Sequence, residues 1–223
     1  MRINIAIDGP SAAGKSTIAK LLAKEFGYAH LDTGAMYRCV AYYSKEKGID
    51  IEDDDAIIAL IKQMKISFDS EGKVYINGND VSNLIRTNEM SMRASKVSAK
   101  AKVRELLVAW QREIASPRGY ILDGRDIGSV VLIDAEVKFY LIASVEARAT
   151  RRYKEDLNKF GKANYEEIAK DIEQRDYQDT HREHSPLVKA KDAIEVDTSN
   201  MNIEQVNEYL SKIVKDKMKL LEA

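Results

Sequence analysis

The sequence contains few cysteines and prolines and lacks any long hydrophobic run. The one cysteine, Cys39, excludes an internal disulfide and suits a reducing compartment. It lies in an apolar helical stretch without a local His or Asp partner, so we interpret it as a core residue. Three prolines and no low-complexity tract give no sign of a linker between independent domains. The 223 residues therefore fit one domain with a small insert.

Membrane and nucleic-acid binding are not indicated. No apolar run approaches the roughly 20 residues that a membrane-spanning helix needs. The apolar start ends at Asp8, which is too early for a signal peptide, so we expect a cytoplasmic protein. We also expect a monomer. The chain has 35 Lys and Arg against 36 Asp and Glu, a net charge of −1. It therefore lacks the basic excess of a general nucleic-acid binder.

Short apolar runs alternate with longer amphipathic stretches. The runs predict buried strands at Ile3–Ile7, Tyr28–Leu31, Tyr120–Leu122, Val137–Ile142 and Ala193–Val196. The amphipathic stretches predict helices at Lys15–Phe26, Ala35–Lys47, Asp54–Met64, Lys96–Ala115, Val145–Phe160, Tyr165–Asp176 and Ile203–Leu221. This alternation predicts an α/β fold, in which helices cover both faces of a parallel sheet.

Residues 65–95 break this pattern. Lys65–Asp69 and Lys73–Asn77 alternate between apolar and polar residues, with turns predicted at Ser70–Gly72 and Gly78–Asn79. The segment therefore predicts a small antiparallel meander, inserted into a core of residues 1–64 and 96–223. From the pattern alone, the insert is either a functional element or structural decoration.

A complete phosphate-binding motif follows the first predicted strand. Gly9-Pro10-Ser11-Ala12-Ala13-Gly14-Lys15-Ser16 reads G-x-x-x-x-G-K-S and leads into the first predicted helix. The glycines let successive backbone N–H groups point at an anion, at the positive end of a helix. We expect Lys15 to reach the β- and γ-phosphates of ATP and Ser16 to ligate Mg²⁺. Thr17 is expected to add a phosphate contact.

A P-loop does not identify the group that accepts the phosphoryl group. GTPases carry an N-K-x-D motif, and the nearest match, Asn158-Lys159-Phe160-Gly161, lacks the aspartate. Large ATPases usually need a longer chain. The sequence therefore favours a small kinase, whose second substrate is an anion that arginines can clamp.

Arginines follow the predicted strands and cluster on two later segments. Arg38 follows the second strand, and the polar run Asp123-Gly124-Arg125-Asp126-Ile127-Gly128 follows the third. Arg148, Arg151 and Arg152 are spaced to share a helix face, and a further segment spans Arg175–Arg182. These helical charges indicate either a solvated face or a lid whose positive charge meets the transferred phosphoryl group.

Together these stretches resemble bacterial cytidylate kinases over essentially the full chain. The resemblance rests on the P-loop with Ile7 and Asp8, Leu31–Arg38, Ser95–Val97 with Val103 and Arg104, Asp123–Gly128, Arg148–Arg152, and Arg175–Arg182 followed by Ser185–Leu187. It implies a P-loop NTPase fold with a five-stranded parallel sheet. It also implies a CMP-binding insert at residues 65–95 and a helical lid at about 148–165.

The resemblance also implies residue roles. The catalytic residues would be Lys15, Asp123, Arg125, Arg148 and Arg152. The CMP-binding residues would be Thr33, Arg38, Ser95, Arg104, Asp123, Arg125, Asp126, Arg175, Asp179 and Arg182. Among these, Arg38, Arg125 and Arg182 would lie near the α-phosphate, and Ser95, Arg104 and Asp126 would contact the base. Asp179 or Arg175 would border the sugar.

The implied reaction is transfer of the γ-phosphoryl group from MgATP to CMP or dCMP. A carboxylate such as Asp126 accepts well from the cytosine N4 amine, whereas uracil presents a carbonyl there. Thr33 replaces a common serine, and Gln178 stands where some relatives carry arginine, so the preference between CMP and dCMP stays open. The alternatives are another small-molecule P-loop kinase, such as a UMP kinase, and a non-enzymatic nucleotide switch.

Overall fold

A computed structural model describes residues 1–69 and 72–222 of the chain. In chain order, the strands are β1 Ile5–Asp8, β2 Ala29–Asp32, β3 Ile66–Phe68, β4 Val74–Ile76, β5 Asn79–Asp80, β6 Tyr120–Gly124, β7 Val137–Ile142 and β8 Ile194–Asp197. The α-helices are α1 Lys15–Phe26, α2 Thr33–Glu46, α3 Asp54–Gln63, α4 Asn88–Ser98, α5 Ala101–Ala115, α6 Val145–Phe160, α7 Tyr165–His181 and α8 Ile203–Glu222.

The larger sheet has five strands in the order β2-β6-β1-β7-β8. The central strand β1 pairs in parallel with β6 and β7, and β7 pairs in parallel with β8. Strands β1 and β6 are therefore neighbours, and the loops that follow them leave the same edge of the sheet. The predicted P-loop fold with a five-stranded parallel sheet is confirmed.

The chain divides into two compact units, one formed by Met1–Ala29 with the segment from Arg118 onward and the other by His30–Pro117. The antiparallel sheet lies within the second unit, which is larger than the predicted insert at residues 65–95. The role of that insert in substrate binding stays a prediction.

Strand β1 is buried on both faces. Ile5, Ala6 and Ile7 all have 0% exposure, although alternate residues of a strand point to opposite faces. One face packs into a cluster with side chains of α1 and α8, including Leu22 and Leu210. The P-loop is therefore attached to a strand that is fixed from both sides.

The second unit contains the predicted meander. The three strands β3, β4 and β5 pair antiparallel, with Ile66 opposite Ile76, which confirms the prediction. Of the predicted turn at Ser70–Gly72, residues 70 and 71 lie outside the described part of the chain. In the same unit α2 packs against α4, and α3 packs against α5. Cys39 is fully buried, as predicted, and burial raises its pKa to about 12, so it stays a protonated thiol.

The single helix predicted over Lys96–Ala115 is wrong. The structure has α4, which begins well before Lys96, and then α5, with Lys100 in an extended conformation between them. The Arg104 guanidinium donates to the carbonyl oxygen of Ser98 at 3.1 Å, which satisfies one acceptor at the end of α4. A local contact between a side chain and a backbone carbonyl therefore stabilises the break, and helical periodicity does not reveal it. None of the helices in the described residues combines the length and apolar character needed to span a membrane.

Gly9 fits its position only because it lacks a side chain. Its φ of 146° is in a region that side chains disfavour, and an added Cβ would lie 2.0 Å from the backbone oxygen of Leu141 on β7. At Gly161, which ends α6 with φ 70°, an added Cβ meets nothing within 4 Å. A side chain at Gly161 would add backbone strain alone, whereas one at Gly9 would add strain and a collision with β7.

We expect Gly9→Ala to lower the free energy of unfolding by about 3 kcal/mol, because it adds a backbone collision to the strain. The matched control Gly161→Ala adds strain alone and should cost about 1 kcal/mol. Denaturant unfolding of both variants measures the difference. Equal losses would contradict the close approach of Gly9 to β7.

Candidate active site

The P-loop connects β1 to α1. Gly14 lies directly before α1 in the left-handed conformation, with φ 83°, and Lys15 is the first helical residue. The Lys15 ammonium donates to the carbonyl oxygen of Pro10 at 2.7 Å, so the side chain folds back over the loop. The Ser16 hydroxyl donates to Asp123 Oδ2 at 2.6 Å. The predicted ATP-binding residues are therefore joined to the end of β6, the neighbouring strand.

Lys15 is buried, and its pKa is sensitive to nearby charges. Its side chain is only 6% exposed. Burial, followed by the positive charge of Arg125, lowers the pKa of Lys15 to about 7, while Asp123 and nearby carboxylates oppose the shift. A phosphate beside the ammonium would raise this pKa again, because an opposite charge favours the protonated form. Phosphate binding and protonation of Lys15 therefore support each other.

Ser11 of the P-loop binds three charged side chains of α6 and α7. Its N–H donates to Asp176 Oδ1 at 2.9 Å, and its carbonyl oxygen accepts from Arg148 at 3.0 Å. Its hydroxyl oxygen accepts from Arg175 at 3.0 Å. Arg148 and Asp176 also form an ion pair with each other. Two predicted site arginines thus contact the P-loop directly.

The two residues that directly follow β6 each form an ion pair, one with α7 and one with the residue directly after α7. Arg125 Nε donates to Asp179 Oδ2 at 2.6 Å, and Arg182 lies 3.6 Å from Asp126 Oδ1. Burial alone would raise the pKa of Asp179, but Arg125, with smaller effects of Arg175 and Arg182, holds it below its ordinary value. Four predicted CMP-binding residues therefore form two buried or largely buried pairs.

Four predicted CMP-binding residues, Thr33, Arg38, Ser95 and Arg104, belong to the second unit. Asp32 accepts from the Ala35 N–H at the start of α2 and pairs with Arg38 at 2.8 Å. Thr33 is the first residue of α2, and its side chain is buried. In the same unit, the Arg104 guanidinium lies 5.6 Å from the centre of the Tyr37 ring.

Ser95 lies on α4 with a partly buried side chain, and its carbonyl oxygen accepts from the Ser98 hydroxyl. The structure therefore collects the predicted CMP-binding residues into two groups, one in each unit.

The three arginines of α6 have different surroundings. Arg148 contacts the P-loop, whereas Arg151 donates to the backbone oxygen of Thr198, just beyond β8. Arg152 has a side chain that is 42% exposed, and it forms an ion pair with Asp156 on its own helix at 3.2 Å. Arg148 is thus joined to the phosphate-binding loop, while the catalytic role of Arg152 stays a prediction.

Comparison with known proteins decides the family. The cytidylate kinase family model matches residues 5–216. A cytidylate kinase of Ligilactobacillus salivarius is 47% identical over 219 residues, which cover 97% of this chain and 98% of the relative. One of Bacillus cereus is 48% identical over 216 residues, which cover 96% of each chain. The chain belongs to the cytidylate kinase family. The predicted family is thereby confirmed.

Solved structures add the fold alone. A gluconokinase of Sinorhizobium meliloti matches with a TM-score of 0.51 and 15% identity, covering 99% of this chain and 96% of its own. An uncharacterised protein of Eubacterium ventriosum matches with a TM-score of 0.52 and 13% identity, covering 97% and 99%. The fold of this cytidylate kinase family member therefore also occurs in proteins of very different sequence.

Sequence reasoning assigned no role to three carboxylates of the site, Asp8, Asp32 and Asp176, although all three lie in the stretches that carry the family resemblance. Asp8 ends a buried apolar strand directly before the P-loop, and a charged residue at that point was an available signal. Asp32 likewise ends β2. Asp176 lies on an acidic helix, where nothing in the spacing distinguishes it from Asp171 or Glu173. Its position against Ser11 depends on long-range packing.

We expect Asp176→Asn to lower the free energy of unfolding by about 2 kcal/mol, because buried Arg148 loses its charged partner. The matched control Asp156→Asn removes the partner of exposed Arg152 and should cost at most about 0.5 kcal/mol. Denaturant unfolding at neutral pH compares the two variants. Equal losses would mean that the Arg148 pair contributes no more than a surface pair.

Proposed function

We propose that this protein transfers the γ-phosphoryl group of ATP to CMP and dCMP, giving ADP and CDP or dCDP in pyrimidine nucleotide metabolism. Membership of the cytidylate kinase family supports the reaction and its acceptor. The observation that carries the proposal is a buried P-loop lysine, Lys15, close to Arg125, which directly follows β6 and pairs with Asp179 of α7. The comparisons give no support to a UMP kinase or a nucleotide switch.

Residues Gly9–Thr17 are proposed to bind ATP. Gly14 frees the first amides of α1 from a side-chain cap, and these amides carry the positive end of the helix dipole. Lys15 then moves its ammonium from the Pro10 carbonyl to the phosphates. This exchange is favourable because a charge-assisted bond to phosphate is stronger than one to a neutral carbonyl.

The residues at Ser16 fit Mg²⁺. The Ser16 hydroxyl and the Asp123 carboxylate bring two oxygen atoms within 2.6 Å of each other, and Asp123 is 4% exposed. Mg²⁺ prefers oxygen ligands and commonly uses one or two protein groups together with phosphates and water. Ser16 is the proposed ligand, and Asp123 orients its hydroxyl. When bound with ATP, the ion would neutralise charge on the phosphates.

The acceptor phosphate is proposed to bind the arginines. Arg125 and Arg182 in the first unit and Arg38 in the second are each paired with a carboxylate. Each guanidinium has five N–H donors, so one pairing leaves donors for a phosphate. The carboxylates therefore hold these side chains in place and keep their charge balanced before CMP binds.

The chemistry needs positioning more than acid–base catalysis. An ionised phosphate oxygen of CMP attacks the γ-phosphorus in line, forming one O–P bond while the bond to the bridging oxygen of ADP breaks. No general base is required, because the nucleophile is already an anion. Lys15, Arg125 and Arg148 are proposed to stabilise the charge on the transferred group. Arg152 is proposed to join them when α6 acts as a lid over about residues 148–165.

Base recognition is proposed to rest on Ser95, Arg104 and Asp126, and sugar contacts on Arg175 or Asp179. Thr33 would supply a further hydroxyl. The insert at residues 65–95 is proposed to form part of the CMP-binding region. We further propose that the enzyme acts as a cytoplasmic monomer on free nucleotides and not on nucleic acid.

An ADP-release assay with MgATP and, separately, CMP, dCMP, UMP, AMP and GMP tests the reaction. We expect fast release with CMP and little with UMP, because uracil turns a carbonyl toward the carboxylate. Equal rates with CMP and UMP would retain the kinase and reject Asp126 as the base reader. Release that is independent of any acceptor would contradict the proposed function.

Lys15→Met should lower kcat for CMP phosphorylation by at least about 100-fold, because the transition state loses a preorganised charge. The control Lys20→Met removes an exposed lysine from the same helix and should leave kcat within about twofold. Steady-state kinetics measure both variants, with circular dichroism confirming the fold. A near-normal rate for folded Lys15→Met would overturn the proposed ATP site.

A further inference from the structure

Asp8 is a buried carboxylate at the end of β1 that none of the roles above uses. Its side chain is 4% exposed. Both of its oxygens accept from backbone amides of another loop: Oδ1 from the Ile127 N–H and Oδ2 from the Gly128 N–H, each at 2.7 Å. Burying a carboxylate is costly, so two short charge-assisted bonds to one loop indicate a specific role for this group.

The two amides belong to the residues that directly follow Asp126. They begin a π-helical turn, Ile127–Val131, and no side chain of the turn's own segment caps its first residues. Within the turn, the Val130 and Val131 N–H groups both bond to the Asp126 carbonyl oxygen. Asp8 thus caps this turn from a neighbouring strand and fixes the backbone immediately after Asp126.

We propose that Asp8 is a positioning residue that holds Arg125 and Asp126 in place for CMP. This inference rests on the proposed function, which assigns these two side chains to the phosphate and the base. Arg125 lies between β6 and the capped turn, so its backbone is fixed on both sides. Asp8 is not proposed to touch either substrate.

Asp8→Asn tests this role, because both oxygens of Asp8 accept from backbone N–H groups. An asparagine has nearly the same shape, but one of its two terminal atoms is a donor and faces an amide donor. A cruder perturbation is Gly128→Ala, because the added Cβ would lie 3.0 Å from the Lys138 side chain and 3.4 Å from Asp8 Oδ2. Gly128→Ala crowds the residue whose N–H bonds to Asp8, mainly against the Lys138 side chain.

The first measurement is steady-state kinetics of Asp8→Asn beside the wild type. We expect KM for CMP to rise about 10-fold or more, since bonds to a charged acceptor are lost. The ratio of kcat/KM for CMP to that for UMP should fall, while KM for ATP stays within about twofold. The control Val206→Ala, which opens a cavity in the α8 core cluster, should lower stability without changing KM for CMP or the ratio of kcat/KM for CMP to that for UMP.

A purely structural role predicts a different result. If KM for ATP rises as much as KM for CMP, or if the CMP to UMP ratio is unchanged, the positioning role is overturned. If Asp8→Asn does not fold, Gly128→Ala must show the selective effect on CMP. Its failure to do so would overturn the proposal.

Amide hydrogen exchange of Ile127 and Gly128, measured by NMR, needs no activity. We expect faster exchange at these two amides in Asp8→Asn than in the wild type, with exchange across β7 unchanged. If the wild type does not phosphorylate CMP, the proposed function fails, but selective exchange would still support Asp8 as the anchor of this turn. Unchanged exchange at both amides would overturn the anchor itself.

Discussion

Two buried carboxylates connect the loops that follow β1 and β6, and the rest of the site depends on them. Asp8 ends β1 but bonds to the amides after β6, whereas Asp123, on β6, accepts from Ser16 after β1. The strands pair in parallel, with Ile7 opposite Asp123, so each carboxylate lies next to the loop that follows the other strand. Asp8 therefore fixes the segment that follows β6, and Asp123 fixes Ser16 of the P-loop.

The same constraint explains how a nearly neutral chain presents a cationic site. Lys15 and Arg148 are buried, and Arg125 is largely buried, where an unpaired charge would be strongly unfavourable. Carboxylates at Asp123, Asp176 and Asp179 offset that cost. A chain with a net charge of −1 can therefore hold several cations close together, because a carboxylate pairs with or lies near each of them.

The sequence was most informative where local chemistry decides the structure. The P-loop, the helix bounds at Lys15–Phe26 and Val145–Phe160 and the antiparallel meander follow from spacing and periodicity, and the structure confirms them. The break between α4 and α5 could not be predicted, because it rests on the extended backbone of Lys100 and on the Arg104 guanidinium donating to the Ser98 carbonyl, neither of which helical periodicity reveals. The roles of Asp8 and Asp176 depend on partners 119 and 165 residues away. The family resemblance carried the CMP assignments, which neither spacing nor this structure tests.

Pairing each arginine with an acid also limits what phosphate binding can gain. A phosphate that approaches Arg125 meets a guanidinium already bonded to Asp179, so the favourable charge interaction is partly offset by repulsion from that carboxylate. Uniform tight binding of anions is thereby avoided, and a phosphate must reach the remaining donors in the right direction. With the proposed role of Asp126 as base reader, selectivity for CMP depends on geometry more than on total charge, and the buried bonds that fix the backbone around Asp126 then contribute to recognition.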